Sequence, residues 1–308
     1  MYNTEIKKRY IVEKESTTNV PGGYLSKLFI KTSTYEIRLQ KDISCFTVHE
    51  IIDFYKTLNI ASPSSLVVIN SHLNLYTDWC LKQNIVQDYQ NHFYEINHDM
   101  LQACINTVAL DRSVLSREEL YKLLDELLNP SDAFIMLALF EGIRGETFCE
   151  LVNLKMSDFN GNTVKLCTGR ELTVSDKLVE LAEKSNKTTD YYAVKGAGTK
   201  MFSFLDENLI VKNMYNCMPG TDPFYKGQRI YRRLLRNFEY LGIAKWMKAS
   251  SLENSGIIDY INTRCKELKI TAREFLYSDY VKEIDYKYDT NLKANKALFY
   301  RKYEKYLV

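Results

Sequence analysis

The sequence predicts a mainly α-helical protein with a small β-sheet, divided into a helical N-terminal domain and an α+β C-terminal domain. Three observations lead there. Apolar residues recur at helical spacing behind N-capping signatures along most of the chain. β-branched alternation is confined to the region after residue 160. Finally, 308 residues, 45% hydrophobic and 26% charged, are enough for two separate cores, and the weakly periodic stretch 107–113 is the natural place to divide them.

Residues 1–22 are polar and charged, close on Pro21, Gly22 and Gly23, and read as an N-terminal arm. The helical domain then spans 23–106. Leu25, Leu28, Phe29, Tyr35, Ile37 and Leu39 fit one face of a kinked or paired helix. Thr47 followed by Glu50 is a capping box that opens EIIDFYKTL. Ser62 and Pro63 introduce a long helix over 64–83, with Leu66, Ile69, Leu73, Tyr76 and Cys80 on its apolar stripe, and 97–106 fits another helix.

A linker is placed at 107–114 and the second domain at 115–308. Ser116 with Glu119 is a second capping box, and Asn129, Pro130, Ser131 and Asp132 end that helix before an apolar one carrying Ile135 to Leu139. Asn160-Gly161 signals a turn. The runs 163–168 and 171–174 around Gly169 predict a hairpin, followed by a helix over 176–184 and a second sheet element within 200–211. From 227 to 307 the pattern is helical, with breaks predicted at Gly242, Gly256 and near Tyr277.

Composition narrows the function classes. The longest purely apolar run, 133–140, is far below the roughly 20 residues that span a bilayer, and the charged N-terminus (Glu5, Lys7, Lys8, Arg9) leads into no signal-peptide core. No membrane association and a cytoplasmic location are expected. Seven scattered cysteines (Cys45, Cys80, Cys104, Cys149, Cys167, Cys217, Cys265) lack CxxC spacing and read as reduced thiols; no metal or cofactor is expected. Net charge is only +2, yet between 226 and 248 stand Lys226, Arg229, Arg232, Arg233, Arg236, Lys245 and Lys248 against the single acid Glu239. Such one-sidedness is the electrostatic footprint of a nucleic-acid contact, or else a solvated helix face.

Several segments taken in order resemble the tyrosine recombinase (phage integrase) family over roughly residues 24–290. SREELYKLLDELL, GIRGETFCELVNLKMSDF and VKLCTGRELTVSDKLVEL are similar to the family's opening helix, first arginine box and following hairpin. QRIYRRLLRNFEYLGI with KASSLENSGII resembles the helix leading into the second box, and FTVHEIIDFYKTLN with SSLVVINSHLNLYTDWCLKQNI the helical core-binding domain. The resemblance implies a two-domain tyrosine-recombinase-like fold: a helical, SAM-like core-binding domain over 23–106 and an α+β catalytic-like domain over 115–308.

Enzymes of this family hold the scissile phosphate between two arginines, whose guanidinium forks neutralise its charge. A lysine and histidines assist proton transfer, and a tyrosine attacks phosphorus. Arg144 matches the first arginine, the alternative being a salt bridge that caps its own helix. The histidine and arginine of the second box fall on Ser250 and Glu253, and the third-box position falls near Ser278. A carboxylate beside the phosphate reverses the interaction's sign, a swing of several kcal/mol at about 4 Å and an effective dielectric of about 20. All four histidines (His49, His72, His92, His98) precede residue 100. Tyr286 and Tyr288 lie near the nucleophile position, but among 23 tyrosines a packing role is the simpler reading. Lys165 and Arg170 flank the hairpin as phosphate contacts or solvated turn charges.

These departures imply an inactive recombinase scaffold that binds DNA without cutting it, and the resemblance, extended to repressors that share this fold, implies a sequence-specific transcriptional regulator, a prophage lysogeny repressor located on the nucleoid of a bacterial host. The alternative is a divergent but active recombinase, and a third reading is an accessory protein that bends DNA. The expected partners are double-stranded operator DNA and a small protein or peptide antirepressor; the C-terminal aromatic stripe Phe299, Tyr303, Tyr306 either packs in cis or docks on a second copy, and periodicity does not choose between them. Expected phosphate contacts are Arg144, Lys165, Arg170, Arg229, Arg232, Arg233 and Arg236. Asn70, His72 and Asn74, on the polar side of the long N-terminal helix, are candidates for base reading, with a solvated face as the alternative.

Overall fold

In a computed structural model the described residues are 1–17, 22–60, 63–86, 89–195, 198–214 and 223–308. The chain divides into two compact units, Met1–Asp111 and Arg112–Val308, and is mainly α-helical with two small antiparallel sheets. Pro21, Ser62 and Cys217 lie outside the described residues.

The first unit comprises α1 (Thr4–Thr17), α2 (Gly22–Leu39), α3 (Val48–Thr57), α4 (Pro63–Lys82), α5 (His98–Ala103) and α6 (Thr107–Asp111). Residues 4–17, expected in an arm, are instead a helix built into the core. Tyr10 packs edge-on against Phe29, Tyr76 and Trp79, with ring centroids 5.2–6.1 Å apart. The Lys7 ammonium is wholly buried against the Glu36 carboxylate, with Asp42 3.8 Å away. A lysine at a core position defeats a hydrophobicity pattern, and burial is tolerable here because the charge is paired. The Thr47–Glu50 capping box forms as its spacing predicts, and α2 is one continuous helix. The stretch read as a linker holds α6, whose first turn is capped by Asn106 Oδ1 accepting from the Ala109 amide at 2.9 Å.

The second unit is built around α8 (Pro130–Phe140), in which every residue from 131 to 140 is buried. Its sequence is apolar all round because it is covered all round. It follows α7 (Arg117–Asp125) and leads to α9 (Cys149–Asn153). Strands β1 (Phe159–Asn160), β2 (Thr163–Lys165) and β3 (Glu171–Thr173) pair antiparallel in that order, with Val164 opposite both Phe159 and Leu172. After α10 (Asp176–Lys187) comes a hairpin of β4 (Asp190–Lys195) and β5 (Gly198–Ser203). The expectation of a sheet element within 200–211 thus missed its first strand and set its bounds too late.

The remainder is α11 (Pro223–Tyr240), α12 (Ala249–Leu268), α13 (Ala272–Tyr277), α14 (Val281–Tyr288) and α15 (Leu292–Tyr303). Gly256 does not break α12 as expected; it lies in the helix interior, where it meets the Phe140 carbonyl at the end of α8. The C-terminal stripe packs on its own unit. Phe299 and Tyr303 are buried, the Val308 amide donates to Asn262 Oδ1 at 2.9 Å, and the Val308 carbonyl accepts from the Ala272 amide at 3.2 Å. Among the described residues no helix is long and apolar enough to cross a membrane.

Candidate nucleic-acid interface

Arg144 lies in the turn that leaves α8. Gly142 (φ +94°) and Gly145 (φ +66°) bracket it in conformations that L side chains rarely adopt. Thr147 and Phe148 follow with φ of 51° and 66°, a left-handed pair of non-glycine residues whose strain the surrounding contacts must hold. One such contact comes from α11, where Gly227 lies so close to the Thr147 carbonyl that a Cβ would sit 1.9 Å from its oxygen. The turn brings the Phe148 ring under the Arg144 guanidinium at 5.3 Å.

The guanidinium itself meets Glu253. Arg144 Nη1 lies 2.9 Å from each carboxylate oxygen of Glu253, which projects from α12. Burial pushes the Glu253 carboxyl up from its ordinary range, and the Arg144 charge and hydrogen bonds pull it back. Arg144 Nε is buried without a partner among the described residues. Arg144, expected to meet a phosphate, is thus paired with an internal carboxylate from the position where the second cation was sought. Ser250, one helical turn earlier, is exposed, and Ser278 donates its hydroxyl to the Phe275 carbonyl at 2.8 Å as a helix-end cap.

Arg170 differs from its expected role as a phosphate contact. It is 8% exposed and wholly engaged inside the protein. Nε and Nη2 donate to Glu150 at 3.0 and 2.6 Å, Nη2 also to the Gly142 carbonyl at 3.1 Å, and Nη1 to the Tyr286 and Lys287 carbonyls at 2.9 and 2.7 Å. Glu150, buried, also accepts from the Arg144 amide and the Thr168 hydroxyl. One carboxylate therefore ties together the Arg144 turn, the hairpin and, through Arg170, the C-terminal carbonyls of α14, where a cation is favourable. The sequence reading missed Glu150, since nothing in local spacing separates a buried acid from an exposed one.

Neither candidate nucleophile has an idle hydroxyl. Tyr286 is exposed and its hydroxyl accepts from the Glu171 amide at 3.0 Å. Tyr288 is buried, donates to the Phe140 carbonyl at 3.0 Å, and burial pushes its phenol well above the ordinary range. Lys165 is exposed on β2 opposite Glu171 and forms no hydrogen bond or salt bridge among the described residues.

On α11 the basic residues separate by helical position. Arg233, expected to contact a phosphate, is instead only 6% exposed; its guanidinium donates to Asp132 at 2.9 Å and to Ser131, and it lies over the Tyr191 ring at 4.7 Å. Lys226, Arg232 and Arg236 form no hydrogen bond or salt bridge among the described residues, and Arg232 and Arg236 are exposed. Arg229 is half-buried. Arg232→Gln is expected to weaken DNA binding and flatten the log–log salt dependence by about 0.9; an unchanged slope in a salt titration removes α11 from the interface. Arg233→Gln should instead lower stability by about 3 kcal/mol, because it strands the buried Asp132.

In the first unit the candidate base readers are partly committed. Tyr55 donates to Asn70 Oδ1 at 2.9 Å and Asn70 Nδ2 donates to the Phe93 carbonyl at 3.2 Å. Asn74 Oδ1 accepts from Asn91. His72 is half-buried beside the Tyr24 ring, and burial lowers its pKa. Base reading would require Asn70 and Asn74 to give up bonds that hold α4 to the segment 91–93, an expectation that local spacing could not have tested.

The chain is thus a helical N-terminal unit followed by an α+β unit in which a strained turn after α8 presents Arg144. Family models described as "MrpR, C-terminal catalytic domain" and "MrpR, N-terminal core-binding domain" match residues 114–307 and 1–82. The chain belongs to the MrpR family, the recombinase-like master repressors of SPβ-like phages. It is 24% identical over 224 residues to the SPbeta prophage-derived uncharacterized protein YopR of Bacillus subtilis (strain 168), covering 69% of this chain and 67% of that one. Solved structures similar to it include XerA recombinase, 12% identical with a TM-score of 0.39 over 96% of this chain and 92% of that one. A lambda integrase(75-356) dimer bound to a COC′ core site is 17% identical with a TM-score of 0.45, over 91% and 94%.

Proposed function

We propose that this protein clamps specific operator DNA without cutting it and thereby represses prophage transcription. The observation that carries the reading is the Arg144–Glu253 pair at 2.9 Å. A scissile phosphate must be surrounded by cations for its transition state to be stabilised. Here the guanidinium is already matched by a carboxylate, which cancels its charge and repels an incoming phosphodiester. The hydroxyls of Tyr286 and Tyr288 are held by backbone groups, and all histidines lie in the first unit, so neither a poised nucleophile nor an imidazole supports strand transfer. The exposed cations of α11 and Lys165 remain for phosphates, which supply most affinity for DNA and its salt dependence.

On this reading the protein resides on the DNA of the bacterial cytoplasm, and a small protein or peptide antirepressor acts on it there. The C-terminal stripe packs in cis through Phe299 and Tyr303. A genome-wide binding map in the lysogen tests the proposal: bound sites should share a sequence and overlap prophage promoters. Occupancy confined to attachment-site DNA would instead indicate an integrase or its accessory factor.

A further inference from the structure

A cavity of about 170 Å³ opens on one side of α11, bordered by Lys212, Lys226, Arg229, Arg232 and Arg236. Its apolar floor is Val152, Val211 and Ile230, all nearly inaccessible to solvent. Among the described residues no carboxylate lines it. Arg233 also borders the cavity, but Asp132 neutralises it. Lys212 is fixed by the Asn186 and Thr188 carbonyls, which accept from its ammonium at 2.5 and 3.2 Å. Arg232 and Arg236, four residues apart on α11, carry like charges that repel one another, and an anion between them would relieve that repulsion.

A DNA backbone accounts for exposed cations but has no use for an apolar recess, since a duplex presents its phosphates on a convex polar surface. A recess with an apolar floor and a charged rim is the form of a small-molecule site. A cavity of about 150 Å³ takes one benzene ring, so this one admits a single ring with its anionic group at the rim. We infer that the recess binds a small organic phosphate whose apolar part is about one ring in size. Its consequence rests on the reading of α11 as DNA-facing. Bound phosphate neutralises cations that would otherwise meet the duplex, and so lowers DNA affinity, with DNA lowering the ligand's affinity by the same factor.

Phenyl phosphate is the probe, titrated into the full chain by calorimetry with phenol and inorganic phosphate as controls. One-to-one saturable binding is expected, at least tenfold tighter than inorganic phosphate. The methyl resonances of Val152, Val211 and Ile230 should shift on its addition. Val211→Phe fills the floor and should abolish this binding while DNA affinity without ligand stays within twofold. Equal binding of inorganic phosphate, unmoved methyl resonances, or no saturation would overturn the proposal; the methyl shifts decide it even where Val211→Phe does not fold. A loss of DNA affinity in folded Val211→Phe would also overturn it, by assigning the recess to the DNA interface. Phenyl phosphate that binds without weakening DNA binding would leave the site standing and refute the DNA-facing reading of α11.

Discussion

Gly256→Ala is expected to destabilise the C-terminal unit by about 3 kcal/mol. In the middle of a helix such a change usually stabilises, by about 1 kcal/mol. Here the sign is reversed by packing, because a Cβ at 256 would lie 1.7 Å from the Phe140 carbonyl oxygen and 2.9 Å from the Tyr288 hydroxyl. The first neighbour is backbone at the end of α8, the helix about which the unit is built, and it cannot swing aside as a side chain would. The Tyr288–Phe140 hydrogen bond at 3.0 Å would be strained by the same shift, so the end of α14 should loosen too. Denaturant unfolding gives the measurement, with Gly23→Ala as the control, because a Cβ at 23 would meet nothing within 4 Å beyond its own stretch of helix. Equal stability of both variants would show that α8 and α12 do not approach as described.

Glu150→Ala should cost at least as much, about 3–5 kcal/mol, the range for breaking a buried ion pair from one side. The variant leaves Arg170 charged in a site where the side chain is 9% exposed, and deprives the Arg144 amide and Thr168 hydroxyl of their acceptor. Because Arg170 also holds the Tyr286 and Lys287 carbonyls, amide exchange should accelerate in α14 before the rest of the unit. Glu150→Ala combined with Arg170→Met removes both charges and should recover part of the loss, which a double-mutant cycle would read as coupling. Additive losses would place Arg170 outside the interior, as a solvent-facing cation.

What the sequence made legible was local. The capping boxes at Thr47–Glu50 and Ser116–Glu119 form because donor and acceptor are three residues apart. The hairpin around Gly169 forms because its turn and its alternation lie within a dozen residues. The errors share a cause in long-range partners. Arg233 reads as a surface cation until Asp132, 101 residues earlier, is beside it, and Arg170 until the end of α14, 116 residues later, is beside it. Lys7 reads as part of an arm until Glu36 arrives to pair it inside the core. Gly256 reads as a break because the carbonyl that requires a glycine belongs to another helix. The position of Glu253 was legible from the order of the motifs; that it would bond Arg144, 109 residues away, followed only from the fold.

The central claim is that an internal carboxylate occupies the phosphate cradle, so DNA is held and not cut. A nicked suicide duplex carrying a bound site, incubated with the protein and resolved under denaturing conditions, tests it most directly. The account predicts stable binding of the duplex and no covalent protein–DNA adduct. An adduct that forms with the natural protein and disappears on Tyr286→Phe or Tyr288→Phe would contradict it.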